Sequence, residues 1–237
     1  TRKGDAYVLN GVKQFITSGQ NGDVAIVIAV TDKAAGKRGM SAFLVPTSTP
    51  GYTVARLEDK LGQHSSDTAQ ILLTDCRIPE TYRLGEEGDG YRIALGGLEG
   101  GRIGIAAQSI GMARSALECA IQYAKDRTSF GQPIMNHQAV GFKLADMATD
   151  LAAARALAAQ AVALRETAGR FTLQASMAKL FASEMVHRVT DAALQLHGGY
   201  GFTRDFPLER LARDCRIFRI YEGSSEIQRM IIAGHIL

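Results

Sequence analysis

The apolar pattern of this 237-residue chain changes period once, near residue 85, and that switch limits the fold more than any other feature. Before it, short runs of branched and aromatic residues are separated by glycine, proline and asparagine. After it, apolar positions recur every three or four residues through long alanine-rich stretches. A single switch argues against alternating strand–helix units and for segregated elements in an α+β multidomain chain. The expectation is a small antiparallel β-barrel or sandwich module over residues 1–85, then an all-α helical bundle over residues 86–237.

In the first part, Tyr7-Val8-Leu9 and Val12 to Thr17 flank Asn10-Gly11, the pair that a two-residue type I′ hairpin turn prefers. Val24 to Val30 reads as a strand buried on both faces. Lys33 to Gly39 is a charged turn, and Met40 to Val45, Gly51 to Leu57 and Ala69 to Leu73 supply further strands. In the second part, Ile103, Ala107, Ile110, Ala113, Leu117 and Ile121 predict one apolar helix face. A second helix is expected from Gln138 to Thr167, ended by Gly169. A third runs from an N-cap at Thr172 to Leu196, stopped by Gly198-Gly199. Pro207 starts a shorter helix, and Ser224-Ser225-Glu226 opens the last.

Composition excludes several function classes. With 46% hydrophobic and 22% charged residues the chain has enough apolar surface to fold. The net charge of +3 is spread along the chain without the basic stripe of a nucleic-acid binder. No apolar run approaches the roughly 20 residues of a membrane span. Cys76, Cys119 and Cys215 form no CxxC pair and the five histidines no HExxH, so no metal site is expected.

Four stretches carry chemistry, each with a plainer alternative. Tyr221-Glu222-Gly223-Ser224-Ser225-Glu226 sets a carboxylate before a glycine and a helix start; it also reads as a simple capping sequence. Gln195 to Gly201 offers bare backbone for a flat or phosphorylated ligand, or a helix C-cap running into a turn. Asp126 to Gly131 offers a guanidinium for phosphate, or a surface loop. Glu99-Gly100-Gly101-Arg102 is a poor helix interior, since each glycine costs about 1 kcal/mol against alanine, and it needs a compensating contact.

Taken together and in order, these stretches resemble the acyl-CoA dehydrogenase family. The likeness begins at Asn10 to Gly19, similar to the family's NGxKxWITNG segment. It continues through Lys60-Leu61-Gly62, Ser65 to Thr68, Asp75 to Pro79, Gly101-Arg102-Ile103, Arg127 to Gly131, Gln138 and Gln195 to Gly201. It closes on Arg213-Asp214 and Ile220 to Arg229. The short-chain and branched short-chain members are the most similar. The family's architecture implies that residues 1–85 are most of a middle β domain and residues 86–237 a C-terminal four-helix bundle. It also implies that an N-terminal helical domain, and a strand with a TExxxGSD-like segment, belong to the parent protein and lie outside this chain.

By the same resemblance, FAD is the cofactor and an acyl-CoA thioester the substrate, oxidised to the trans-2-enoyl-CoA. Glu222 is implied as the base that takes the α-proton, with hydride passing to the flavin and electrons onward to electron-transferring flavoprotein. Flavin contacts are implied for Phe15, Ile16 and Thr17, where Phe15 replaces the usual Trp. They are also implied for Arg127, Phe130, Gln138, Gln195, Leu196, His197, Gly198 and Gly199, across a subunit interface, and for Ser224, Ser225 and Glu226. Glu99, Arg102 and Gly223 are implied to meet the acyl-CoA. Gly101 stands where the isovaleryl type carries its base, which argues against that arrangement. A homo-oligomer, a dimer of dimers, is expected, in the cytoplasm of a bacterium or the mitochondrial matrix of a eukaryote. An oxidase of the same fold and a non-catalytic helical assembly module are the alternatives. The isolated chain is expected to be inactive and to hold flavin weakly.

Overall fold

The computed structural model describes residues 1–167 and 169–237, which form two compact units, Thr1–Gly97 and Leu98–Leu237. The first unit is built from β1 (Arg2–Lys3), β2 (Ala6–Thr17), β3 (Val24–Val30), β4 (Met40–Pro46), β5 (Tyr52–Leu57), β6 (Thr68–Pro79) and β7 (Arg83–Leu84). Two antiparallel sheets result, with strand orders β1-β2-β6-β5 and β3-β4-β7. Neither sheet closes on itself, so of the two expected forms the open sandwich is found and not the barrel. Tyr7, Leu9, Val27, Phe43, Val45, Ile71 and Ile78 fill the space between the sheets, with the Tyr7 and Phe43 rings 4.8 Å apart.

Two expectations fail in this unit. Asn10-Gly11 is not a hairpin: β2 runs straight through it and pairs with the distant β6. The two residues sit instead at a bulge between Leu9 and Gly11, where Gly11 has φ +151° and Asp75 opposite has φ +47°. The Asn10 side chain clamps that bulge, donating to Asp75 Oδ1 at 3.1 Å and accepting from the Asp75 N–H at 2.8 Å. Nor is β3 buried on both faces. It is an edge strand whose Val27 enters the core while Val24, Ile26 and Val30 stay exposed.

The second unit is helical, and α1 (Gly90–Asp126) leads into it. A short ribbon of β8 (Thr128–Ser129) and β9 (Gln132–Pro133) follows. Then come α2 (Gln138–Thr167), α3 (Thr172–His197), α4 (Gly199–Phe202), α5 (Leu208–Asp214) and α6 (Ser225–Ile236). The buried stripe of α1 follows a three–four alternation through Ile103, Ala106, Ile110, Ala113, Leu117, Ala120 and Ala124. Ala107, expected on that face, is exposed, because the true spacing averages 3.5 rather than 3.6 and favours Ala106. Alanines dominate the core of α1, α2 and α3, which brings the helix axes close. Gly169 follows α2 with φ +70°, as a helix stop requires. Thr172 is the first helical residue of α3 rather than its cap; its hydroxyl donates to Glu99 Oε1 instead.

Candidate functional site

Residues 221–224 join a 3-10 turn at Cys215–Arg219 to α6. Glu222 and Gly223 are both left-handed, with φ +54° and +85°. For a residue with a side chain that conformation costs on the order of 1–3 kcal/mol and persists only when neighbours impose it. Here they do. The Gly223 carbonyl accepts from Lys179 Nζ at 2.8 Å and from Gln228 Nε2 at 2.9 Å. Gln228 Nε2 also reaches the Glu222 carbonyl at 3.2 Å. On either side, Glu184 of α3 pairs with Arg219 at 2.8 Å and accepts from the Ser225 hydroxyl at 2.8 Å.

With both carbonyls drawn toward α3 and α6, the Glu222 carboxylate lies against α1 at Gly101. A methyl group at residue 101 would overlap Glu222 Oε2 and stand 2.9 Å from its Cδ, so this glycine is the room the carboxylate occupies. Among the described residues the carboxylate makes no hydrogen bond or ion pair. Arg102, the next residue of α1, is buried with its Nε unpartnered. Burial lowers the pKa of Arg102, against the opposing pull of Glu99 and Glu222. Burial also lowers Lys179 to about 8, despite the nearby carboxylates of Glu222 and Glu184. The Tyr221 hydroxyl is pushed up by burial and by Glu222, and donates to Gln108 Oε1 at 2.9 Å.

A half-buried, unpartnered carboxylate beside two cations suits proton removal from a bound carbon acid. The capping function of the sequence is present as well. Ser224 is the N-cap of α6 and accepts from the Ile227 N–H. The Ser225 hydroxyl is spent on Glu184, and Glu226 is exposed, its carboxyl held below the usual range by its own backbone N–H and by Ser224. Glu99 is drawn to Thr172.

A second grouping joins Arg127 to Gln195, Leu196, His197, Gly198 and Gly199, which line one cavity of about 640 Å³ together with Tyr123 and Tyr200. His197 is buried; its Nδ1 lies 2.8 Å from the Ala193 carbonyl, and its ring stacks on Tyr123 at 4.0 Å. Burial lowers its pKa below the usual imidazole value, against a backbone contact with Ala193 that raises it. The other expected residues stand apart from this cavity. Phe130 is 97% exposed at the tip of the β8–β9 ribbon, and Gln138 is exposed at the start of α2. In the first unit, Phe15 and Thr17 are exposed and Ile16 half-buried near the end of β2, with Phe15 left-handed at φ +57° beside a second bulge.

Lys179 and Glu184 were not among the residues singled out in the sequence, and Gln228 was read only as part of the stretch Ile220 to Arg229, with no role of its own. For Lys179 a signal exists: it falls on the stripe Ala175, Ala178, Ala182, Met185, Val186 and Val189, where only apolar side chains are expected.

Comparison with known proteins agrees with this picture. Residues 88–237 match the family described as Acyl-CoA dehydrogenase, C-terminal domain, and residues 1–76 match Acyl-CoA dehydrogenase, middle domain. The human short-chain specific acyl-CoA dehydrogenase of mitochondria is 49% identical over 99% of this chain and 57% of its own length. An acyl-CoA dehydrogenase of Bacillus subtilis is 47% identical over 100% of this chain and 62% of its own length. The structure of butyryl-CoA dehydrogenase from Megasphaera elsdenii superposes with a TM-score of 0.97 at 44% identity, covering 99% of this chain and 62% of that one. The chain thus spans about three-fifths of the length of these relatives. On sequence and on fold alike, it belongs to the acyl-CoA dehydrogenase family.

Proposed function

We propose that the protein containing this chain removes two hydrogens from an acyl-CoA thioester, giving the trans-2-enoyl-CoA, with Glu222 as the base. The single observation that carries this reading is the Glu222 carboxylate, without a hydrogen bond or ion pair among the described residues and held over Gly101 by a braced left-handed turn. The α-proton of a thioester is only weakly acidic, so its removal needs a base fixed in place and a site that excludes water. Glu222 supplies the base, and the buried Arg102 supplies positive charge next to it.

The residues of the second grouping fit the adenosine diphosphate half of FAD. Arg127, which has no ion-pair partner among the described residues, suits a diphosphate; Gln195 and the side-chain-free Gly198 and Gly199 allow close backbone approach; Tyr123 and Tyr200 offer aromatic faces. Bound FAD supplies the acceptor for the hydride that leaves the β-carbon. Phe15 to Thr17 and Ser224 to Glu226 are proposed for the flavin, Phe130 and Gln138 for its diphosphate and adenosine across a subunit contact, and Glu99, Arg102 and Gly223 for the acyl-CoA. Electron-transferring flavoprotein is the proposed onward acceptor, and a dimer of dimers the proposed assembly.

The test is Glu222→Gln in the holoenzyme at the full length of its relatives, with butyryl-CoA as substrate. Turnover should fall at least about 100-fold with the flavin still bound. A variant that turns over at the normal rate removes Glu222 from the role.

A further inference from the structure

Lys179 is a fully buried ammonium in the apolar stripe of α3, flanked by Ala175, Ala178 and Ala182. A methionine or leucine would pack there without the desolvation that a charge incurs. Its one hydrogen bond among the described residues goes to the Gly223 carbonyl. The charged groups facing it are Glu222 from the turn, Glu184 from α3, Glu226 from α6 and Arg102 from α1. Three carboxylates outnumber one guanidinium, so the surroundings favour the cation that burial opposes.

The geometry says what this buried charge is for. Glu222 and Gly223 are left-handed in succession, and only glycine enters that region freely. The turn therefore needs an outside hold at Glu222, and its two carbonyls receive one from Lys179 and Gln228. Drawing the carbonyls toward α3 sets the carboxylate against Gly101 on the other side.

We propose that Lys179 is the positioning residue of Glu222, its ammonium fixing the Gly223 carbonyl and so holding the turn that presents the carboxylate over Gly101. The proposal rests on the reading of Glu222 as the base. Lys179 touches no reacting atom; it acts through the turn.

The test uses the full-length holoenzyme with Lys179→Met, Lys179→Arg and Glu222→Gln. Proton removal is isolated from hydride transfer by reducing the flavin under anaerobic conditions and following exchange of the α-hydrogens of butyryl-CoA with D2O. Lys179→Met should slow exchange and lower kcat about 100-fold, the penalty of a base displaced by about 1 Å. Its KM should change less than about threefold, because substrate binding is not what Lys179 serves. Lys179→Arg, which keeps a charged donor, should recover part of the loss. Normal exchange in Lys179→Met while Glu222→Gln is inactive overturns the proposal and leaves the base in place. Normal exchange in Glu222→Gln overturns the base reading itself, and this proposal with it. A raised KM at unchanged kcat also overturns the proposal. Should Lys179→Met fail to fold, Gln228→Met removes the other donor to the Gly223 carbonyl: slowed exchange in that variant supports the braced turn, and normal exchange overturns it.

Discussion

Two turns of the helical unit share nearly the same pair of φ angles and have opposite surroundings. Phe130-Gly131 has φ +51° and +78°, and Glu222-Gly223 has φ +54° and +85°. In each, a residue with a side chain enters the left-handed region and a glycine follows. The first turn joins β8 to β9, a two-residue hairpin connection with both central residues left-handed, as type I′ requires. Its Phe130 points into solvent and nothing lies within 4 Å of a Cβ placed at Gly131. The second turn is braced by Lys179, Gln228 and, on its flanks, Glu184. Backbone conformation by itself therefore says little about chemistry. What separates the two turns is how many buried polar groups are committed to holding them.

The largest effect expected from breaking this contrast is at Gly101. Alanine at a helix interior position favours the helix by about 1 kcal/mol over glycine. At Gly101, however, the new methyl group would overlap the Glu222 carboxylate. Gly101→Ala should leave the fold intact and, if Glu222 is the base as proposed, lower kcat of the holoenzyme by about 100-fold, the loss expected for a base moved by about 1 Å. Equal activity would mean that the carboxylate works elsewhere.

Next come the paired substitutions Gly223→Ala and Gly131→Ala. Both force alanine into a left-handed conformation, at about 1 kcal/mol. At Gly223 the methyl group also meets Nε2 of the buried Gln228 at 2.6 Å, the atom that donates to the turn's carbonyls. Chemical denaturation should show a loss of about 2–3 kcal/mol for Gly223→Ala and about 1 kcal/mol for Gly131→Ala. Equal losses would deny the brace any energetic consequence.

The braced turn also has a titratable backing. His187 of α3 is pushed down to about 4 by burial and by Arg219 and Arg216. The unfolded chain takes up a proton there as pH falls through 6.5, whereas the folded chain does so only near 4. Stability is therefore complete above about 6.5 and is lost as pH falls toward 4, by on the order of 1–3 kcal/mol. His187→Gln should flatten the melting temperature between pH 6.5 and 4.5. An unchanged slope would assign the acid sensitivity to other groups.

How much of this was legible in sequence follows from the range of each interaction. The helix stops at Gly169 and Gly198 depend on residues within one turn and the structure has them there, while of the two serines that open the last helix Ser224 is the cap, and Gly199 begins the next short helix instead of ending α3. The family was legible because several motifs stand in a fixed order along the chain, the stretch around Glu222 among them. Asn10-Gly11 was misread because a hairpin and a bulge demand the same positive φ, and the deciding partner, Asp75, lies 65 positions away. The left-handed hairpin turn falls instead at Phe130-Gly131, where phenylalanine hides the signal. Lys179 carries no local mark of its partner, 44 positions distant, beyond its place on an apolar stripe.

The smallest structural effect sharpens the contrast most. Phe130 stands 97% exposed, touching His137 only edge-on with ring centroids 6.1 Å apart. Phe130→Ala removes almost no buried area, so chemical denaturation of the chain should register less than about 0.5 kcal/mol. An aromatic ring held open to solvent by a left-handed turn nevertheless has a use if a neighbouring subunit brings a flavin against it. In the assembled holoenzyme the same substitution should then weaken FAD binding by about 2–13-fold, the worth of one aromatic contact. Unchanged affinity would show that this turn only closes a ribbon. Of these two turns, only the braced one would then keep a proposed chemical role.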